Sequence, residues 1–457
     1  MKEIVSGFIA KSTIKSADKE HRRKINFNIG KYNTVVPQGK LQFADVNLAR
    51  EKAKNIKWRA IENLDKQLET FEAIITKRGA KVIWAEDAQQ ALEAVKKICE
   101  EKKCKTLVKS KSMVTEEIHL NDFLEKNGIE SVETDLGEYI QQLDGETAYH
   151  IVTPAMHKSK EDVAKLFAEK LGTDPKLTPE QLTLVARDIL REKYVQAEIG
   201  VTGANFIITD IGGIAVTENE GNARLSCSMP KTHIVIAGIE KVIPSMNDLA
   251  LFWPLLSTFG TGQKITVYNT IVTGPRQENE TDGPGEMYVI LLDNGRTNIL
   301  QNPKQRESLY CIRCGACLNA CPVYKNIGGF SYGTTYSGPI GSVITPNLQG
   351  MDNFKHLSHA SSLCGNCTEV CAVKINLHEL LLDNRKEAAE EGMSSFGEKA
   401  AWKLWKFASM HRGMMNMGTG PLKNTFVNNI FKGWTKHRGD LNFSKKTFNE
   451  MWKERNN

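Results

Sequence analysis

Residues 311–322 read CIRCGACLNACP, and residues 361–372 read SSLCGNCTEVCA. The first stretch is the C-x2-C-x2-C-x3-C-P run of two-cluster ferredoxins, in which the fourth cysteine serves the other cluster. Three thiolates two residues apart can curl around one corner of an iron–sulfur cube, and Gly315 and Ala316 keep bulky side chains away from it. Cys321 lies one step too far along and faces a neighbouring site, and Pro322 closes the turn. The second stretch fits the same register from its second position onward, with Cys364, Cys367 and Cys371 as donors. Ser361 stands at the first position, and Ala372 stands where proline commonly follows.

The exchange rule then predicts a complete [4Fe–4S] site from Cys311, Cys314, Cys317 and Cys371. A second site receives three thiolates, from Cys321, Cys364 and Cys367. Three readings are open for it: a [4Fe–4S] cluster with a non-cysteine fourth position, a [3Fe–4S] cluster, or no cluster. Ser361, His356 and His359 are the nearby candidates for the fourth position. The competing reading of the whole constellation is structural zinc, but a tetrahedral all-cysteine zinc site pairs two knuckles, and seven cysteines in a ferredoxin register fit that poorly.

The chain around these motifs has 457 residues, 60 basic against 54 acidic side chains, and 40% hydrophobic residues. That is room for two or three domains, with no compositional sign of a disordered or fibrous chain. Seven of the ten cysteines fall between 311 and 371, unlike the dispersed framework of a disulfide-stapled secreted protein. Lys2 and Glu3 precede no apolar signal core, and no run of 18 apolar residues occurs. The expectation is a reducing, cytoplasmic setting.

Upstream, strand-like and helix-like segments alternate. Ile61, Leu64, Leu68, Phe71 and Ile75 recur at helical spacing, and Gly79 is placed to end that helix. Strands are expected at Lys81–Ala85, Thr106–Lys109, His150–Pro154, Phe206–Thr209, Gly213–Thr217, His233–Ala237, Lys264–Thr273 and Met287–Leu292. Helices are expected after Asp87, from Ser112 to about Asn127, from the Thr178 capping box to about Ile199, and from Met246 to Phe259. This is an α/β domain with a largely parallel sheet over 65–300. Residues 1–64 form an N-terminal extension with a helix, whose first forty residues lack periodicity and are expected to wrap another domain or lie extended. Residues 301–390 form the ferredoxin-type domain, mainly turns and helices, and 391–457 a helical tail.

No Walker A or G-x-G-x-x-G motif is present. Residues 109–117 (KSKSMVTEE) lie where a strand becomes a helix, so Lys109 and Lys111 can hold an anion or be solvated beside a capped helix. In residues 202–224 (TGANFIITDIGGIAVTENEGNAR), Glu218 and Glu220 are either acid/base groups or parts of a polar turn satisfied by its own backbone. The catalytic residues are unknown from sequence. The polar loop Gly274–Glu286 can line a site or dock a partner.

Residues 395–457 carry a net charge of +8 and four of the seven tryptophans, Trp402, Trp405, Trp434 and Trp452. Between Phe396 and His411, Lys399, Lys403 and Lys406 share one helical face, and Ala401, Leu404, Trp405 and Ala408 the other. A packed helix with solvated lysines is the leading expectation, with peripheral contact to anionic lipid as the alternative. Nucleic acid is not expected, because no binding motif accompanies the charge.

Taken together, KSKSMVTEE, TGANFIITDIGGIAVTENEGNAR, the 230–254 stretch, CIRCGACLNACPVY, SSLCGNCTEVC and the basic tail resemble the lactate utilization protein B family. That family is the iron–sulfur member of a three-protein L-lactate oxidation system. The resemblance implies a LUD domain of the sugar-phosphate isomerase and CoA-transferase fold group, followed by a two-cluster ferredoxin domain. It implies electron transfer during oxidation of L-lactate to pyruvate, allowing lactate to serve as a carbon source. Its partners would be a cysteine-rich A-like subunit and a LUD-containing C-like subunit. Two alternatives are an acyl- or sugar-phosphate-acting enzyme with structural clusters, and a redox-sensing interaction protein.

Overall fold

Residues 232–238 (THIVIAG) and 286–292 (EMYVILL) are unbroken apolar runs, the composition of strands covered on both faces. In the computed structural model, which describes residues 2–394, 396–430, 439–440 and 442–456, they pair in parallel at the middle of a sheet. The strands along the chain are β1 Lys81–Ala85, β2 Thr106–Lys109, β3 Glu130–Glu133, β4 Ile199–Thr202, β5 Phe206–Ile208, β6 Gly213–Glu218, β7 Thr232–Gly238, β8 Val242–Ile243, β9 Tyr268–Val272 and β10 Glu286–Leu292. Six of them form one sheet in the order β1-β10-β7-β4-β2-β3, parallel throughout. A second, four-stranded sheet runs β8-β5-β6-β9, with β5/β6 and β6/β9 antiparallel and β5/β8 parallel.

The two-residue period of a strand divides the central side chains between two cores. Ile234, Ile236, Ile290 and Leu292 pack with Val95 and Ile98 of the helix Ala88–Glu101. Val235, Ala237, Val289 and Leu291 point the other way, into a core that runs on through Phe206 and Phe252 to Leu318, Tyr324 and the cysteines of 314–371. The α/β part and the cysteine-bearing part therefore share one apolar interior. Residues Met1–Ala388 are one compact unit, and Ala389–Asn457 a second.

Several expectations need correction. The first forty residues are neither extended nor irregular: they form helices Lys2–Ala17 and Lys19–Lys40. The second buries His21, Ile25 and Ile29 at four-residue spacing and packs against the helices Leu249–Thr261 and Pro322–Ile327. Glycine, Pro37 and β-branched residues make it a weak helix former, so tertiary packing holds it. His150–Pro154 is not a strand. The His150 ring accepts at Nδ1 from the N–H groups of Val152 (3.1 Å) and Thr153 (3.2 Å), which folds the segment back on itself. β3 reads ESVE and gave no apolar signal, because Glu133 enters the interior as the ion-pair partner of Lys109. The helix expected from Ser112 breaks into Met113–Glu117 and Leu120–Lys126 at His119, whose φ is 54°.

In the tail, Phe396–Met410 is helical as the pattern requires, yet none of its residues is buried. Leu404 and Trp405, expected on a packed face, are 66% and 64% exposed. Trp434 lies outside the described residues. Among the described residues no helix is long and apolar enough to cross a membrane.

Candidate metal centres

The first cysteine turn is shaped by left-handed backbone. Arg313 has φ of 60°, and Gly315, at 79°, starts the helix Ala316–Ala320. The second turn repeats this: Leu363 at 51°, and Gly365 at 80° starting Asn366–Glu369. Two left-handed residues flanking one cysteine fold the chain tightly enough to aim successive thiols the same way, and glycine takes the second position at little steric cost. The helices Ala316–Ala320 and Asn366–Glu369 pack together, and Asn366 Nδ2 donates to the Ala320 carbonyl at 3.1 Å.

This packing sorts the thiols into two groups. Cys311, Cys314, Cys317 and Cys371 line one cavity, walled by Ile151, Ile340, Ile375 and Leu377. The N–H of Arg313 donates to Cys311 Sγ at 3.4 Å, and that of Ile375 to Cys371 Sγ at 3.3 Å. Burial pushes the Cys314 and Cys371 thiols up to about 12, with their neighbours in the cavity adding to the shift. Cys317 is raised too, first by burial and then by Cys311 and Cys314. The three buried thiols, Cys314, Cys317 and Cys371, cannot ionise together in an apolar cavity without a positive partner, and a soft cationic centre supplies it. The donor set therefore fits iron–sulfur chemistry.

The other group is Cys321, Cys364 and Cys367. Burial raises the Cys321 thiol, then Cys364 adds to it, and the N–H of Tyr324 donates to its Sγ at 3.5 Å. Cys367 is pushed up to about 11 by burial and then by Cys321 and Cys364. Cys364 is exposed, and hydrogen bonds from the Asn366 N–H and from Ser362 lower its thiol. This three-thiol group therefore opens to the surface at Cys364. Of the candidate fourth donors, Ser361 Oγ accepts from the N–H of Leu363 at 3.1 Å. His356 packs against Phe8 and Phe354.

Beside the four-thiol cavity lies a second one of about 250 Å³, and Arg313 and Cys314 line both. Its floor is the carboxyl edge of the parallel sheet, with residues just beyond β2, β4, β7 and β10. Beneath it is a buried charge network. Arg296 holds Glu117 with Nη1 at 3.0 Å and Nη2 at 2.8 Å, and Glu240 with Nε at 2.6 Å. Tyr336 donates to Glu117 at 2.6 Å, and its ring lies 4.5 Å from the Arg313 guanidinium. Glu117 ends the KSKSMVTEE segment and Glu240 and Lys241 lie in the 230–254 stretch, yet nothing in the sequence joined them to Arg296.

Several singled-out residues have structural roles. Lys109 is fully buried against Glu133 at 2.7 Å and Glu116 at 3.3 Å, so it is not an anion-binding group. Lys111 donates to the Val152 carbonyl at 2.8 Å and lines the larger cavity. Glu218 accepts from the N–H groups of Ala223 (2.6 Å) and Arg224 (2.8 Å), holding the first turn of Asn222–Ser228. Glu220 accepts from the Leu136 N–H at 3.0 Å and is raised to about 7, first by burial and then by Asp135. No residue of the Gly274–Glu286 loop lines either cavity.

Comparison with known proteins places both domains in described families. Residues 68–292 match the family model of the LUD domain, and 307–375 that of the 4Fe-4S dicluster domain. Lactate utilization protein B of Bacillus subtilis is 46% identical over 372 residues, 81% of this chain and 78% of its own length. That of Anoxybacillus flavithermus is 44% identical over 421 residues, 89% of each chain. A solved DUF162 family protein from Deinococcus radiodurans aligns with 50% of this chain and 98% of its own at 12% identity and a TM-score of 0.28, too loosely to bear on the fold. With an iron–sulfur domain on a LUD domain and relatives of this similarity over most of its length, the chain belongs to the lactate utilization protein B family.

Proposed function

We propose that the chain is the iron–sulfur electron carrier of a system that oxidises L-lactate to pyruvate. The observation that carries this reading is the sorting of seven cysteines into a four-thiol and a three-thiol group, five of them buried in an interior shared with the sheet. Cys311, Cys314, Cys317 and Cys371 would hold one [4Fe–4S] cluster, and Cys321, Cys364 and Cys367 the second. Such clusters supply one-electron transfer when bound. The chain's own residues isolate the first site from water with isoleucine and leucine walls, aim backbone N–H groups at its sulfurs, and leave the second site open at Cys364. An exposed edge of this kind suits exchange with a partner. The partners in this reading are a cysteine-rich A-like subunit and a LUD-containing C-like subunit in the cytoplasm.

Within the chain, residues 65–300 act as the LUD platform and 301–390 as the cluster-bearing segment. Residues 1–64 brace the two, and 391–457 form the extension. An acyl-transfer or sugar-phosphate activity based on Glu218 is disfavoured, because backbone N–H groups already occupy both its oxygens. The test is Cys314→Ser, examined by EPR after anaerobic purification and by growth on L-lactate. Loss of one cluster signal together with loss of growth is expected. Unimpaired growth would refute the reading.

A further inference from the structure

The cavity of about 250 Å³ that shares Cys314 with the four-thiol site is electrically two-ended. In open parallel sheets, ligands settle in the crevice outside the carboxyl ends of the strands, and this cavity occupies that place. At the end roofed by the first cysteine turn sit Arg313 and Lys241. Arg313 Nη1 is buried without a hydrogen-bond partner, and Nη2 approaches Glu240 only to 3.6 Å. Glu240 is already committed to Arg296 at 2.6 Å. Lys241 lines the cavity, and among the described residues its ammonium has no hydrogen bond and no carboxylate within 4 Å.

Counting charges, four cations, Lys57, Arg296, Arg313 and Lys241, face the two carboxylates of Glu117 and Glu240, with the Cys311 thiol beside them, so the cations outnumber the carboxylates at this end. The opposite wall carries three acidic groups, Asp135, Glu218 and Glu220, against one cation, Lys111. A planar guanidinium fork beside an ammonium suits a carboxylate. The acidic wall repels a ligand that brings a second negative charge, which is selection by unfavourable contact.

We propose that this cavity binds a short 2-hydroxy or 2-oxo monocarboxylate, its carboxylate held between Arg313 and Lys241 beside Cys314. The choice of acid rests on the lactate-utilization reading above; the choice of a monoanion rests on the cavity. The site places an organic acid in this chain next to the four-thiol centre, with the second oxygen of Glu220 on the acidic wall to accept a hydrogen bond from a hydroxyl group.

The experiment is isothermal titration of the anaerobically purified, cluster-loaded full chain with L-lactate and with pyruvate, alongside L-malate and inorganic phosphate. Saturable binding of at least one monocarboxylate is expected, with malate and phosphate giving none. Lys241→Met should weaken binding by about tenfold or more while both cluster EPR signals persist, and Arg313→Lys should weaken it as much. No heat from either monocarboxylate in protein whose cluster signals are intact would overturn the inference and leave the electron-carrier reading standing. Binding untouched by both substitutions, or malate and phosphate binding as tightly as lactate, would overturn it too. A Lys241→Met chain whose cluster potentials shift while the wild-type chain binds no acid would assign the two cations to the cluster instead.

Discussion

Ser361 occupies in the second cysteine turn the place that Cys311 occupies in the first. The N–H two residues on donates to its side chain in both cases, Leu363 to Ser361 Oγ at 3.1 Å and Arg313 to Cys311 Sγ at 3.4 Å. The residue before the next cysteine is left-handed in both turns, and a left-handed glycine follows that cysteine in both. The second turn thus keeps the backbone of a four-cysteine run with an oxygen at its first position.

This makes Ser361 the foremost candidate for the fourth position of the three-thiol centre. Ser361→Cys should change the EPR signal and potential of that centre alone, giving it the spectrum of an all-cysteine cluster. Ser361→Ala should convert it to a three-iron signal or weaken it. Spectra of both variants identical to the wild type would remove Ser361 from the site.

The buried network around Arg296 should be costly to break. Arg296→Met leaves the buried carboxylates of Glu117 and Glu240 without their shared cation. Removing one partner of such a pair costs about 3–5 kcal/mol, which denaturant unfolding of the loaded chain can read. A loss below about 1 kcal/mol would mean the carboxylates find other partners or protonate at little cost.

His233, in the centre of the parallel sheet, is buried with Nε2 2.8 Å from Thr202 Oγ1, and burial lowers it to about 3. Its folded pKa lies below the ordinary 6.5, so the unfolded chain binds the extra proton first as pH falls. The stability contributed by the neutral ring is complete above pH 6.5 and is lost progressively as pH falls from there toward 3. Between pH 6 and pH 5, the wild-type chain should lose about 1 kcal/mol more stability than His233→Gln. Parallel pH profiles of the two proteins would contradict this.

The C-terminal unit should be dispensable for the clusters. All seven cluster cysteines and the linings of both cavities lie within residues 1–388, which form a compact unit by themselves. A chain ending at Glu390 should keep both cluster signals and its melting temperature within a few degrees. Loss of either cluster would show that the tail completes a site.

What the sequence disclosed follows from which interactions are local. Thiol spacing along one turn is a local property, and the long apolar runs of β7 and β10 announce strands covered on both faces. β3 stayed hidden because its stability comes from Lys109 on a neighbouring strand, a contact that no window over ESVE can contain. The N-terminal helices stayed hidden because Ile25 and Ile29 are buried against segments hundreds of residues away. The larger cavity was invisible for a similar reason. Lys241, Arg296 and Arg313 meet only once the first cysteine turn lies over the carboxyl edge of the sheet.

The most direct test is quantification of iron, acid-labile sulfide and zinc in anaerobically purified protein, joined to EPR of its oxidised and reduced forms. Iron and sulfide in near-equal amounts, with two distinct cluster signals of which Cys314→Ser removes one, is the predicted result. A colourless protein holding zinc, with no sulfide and no reducible signal, would contradict it.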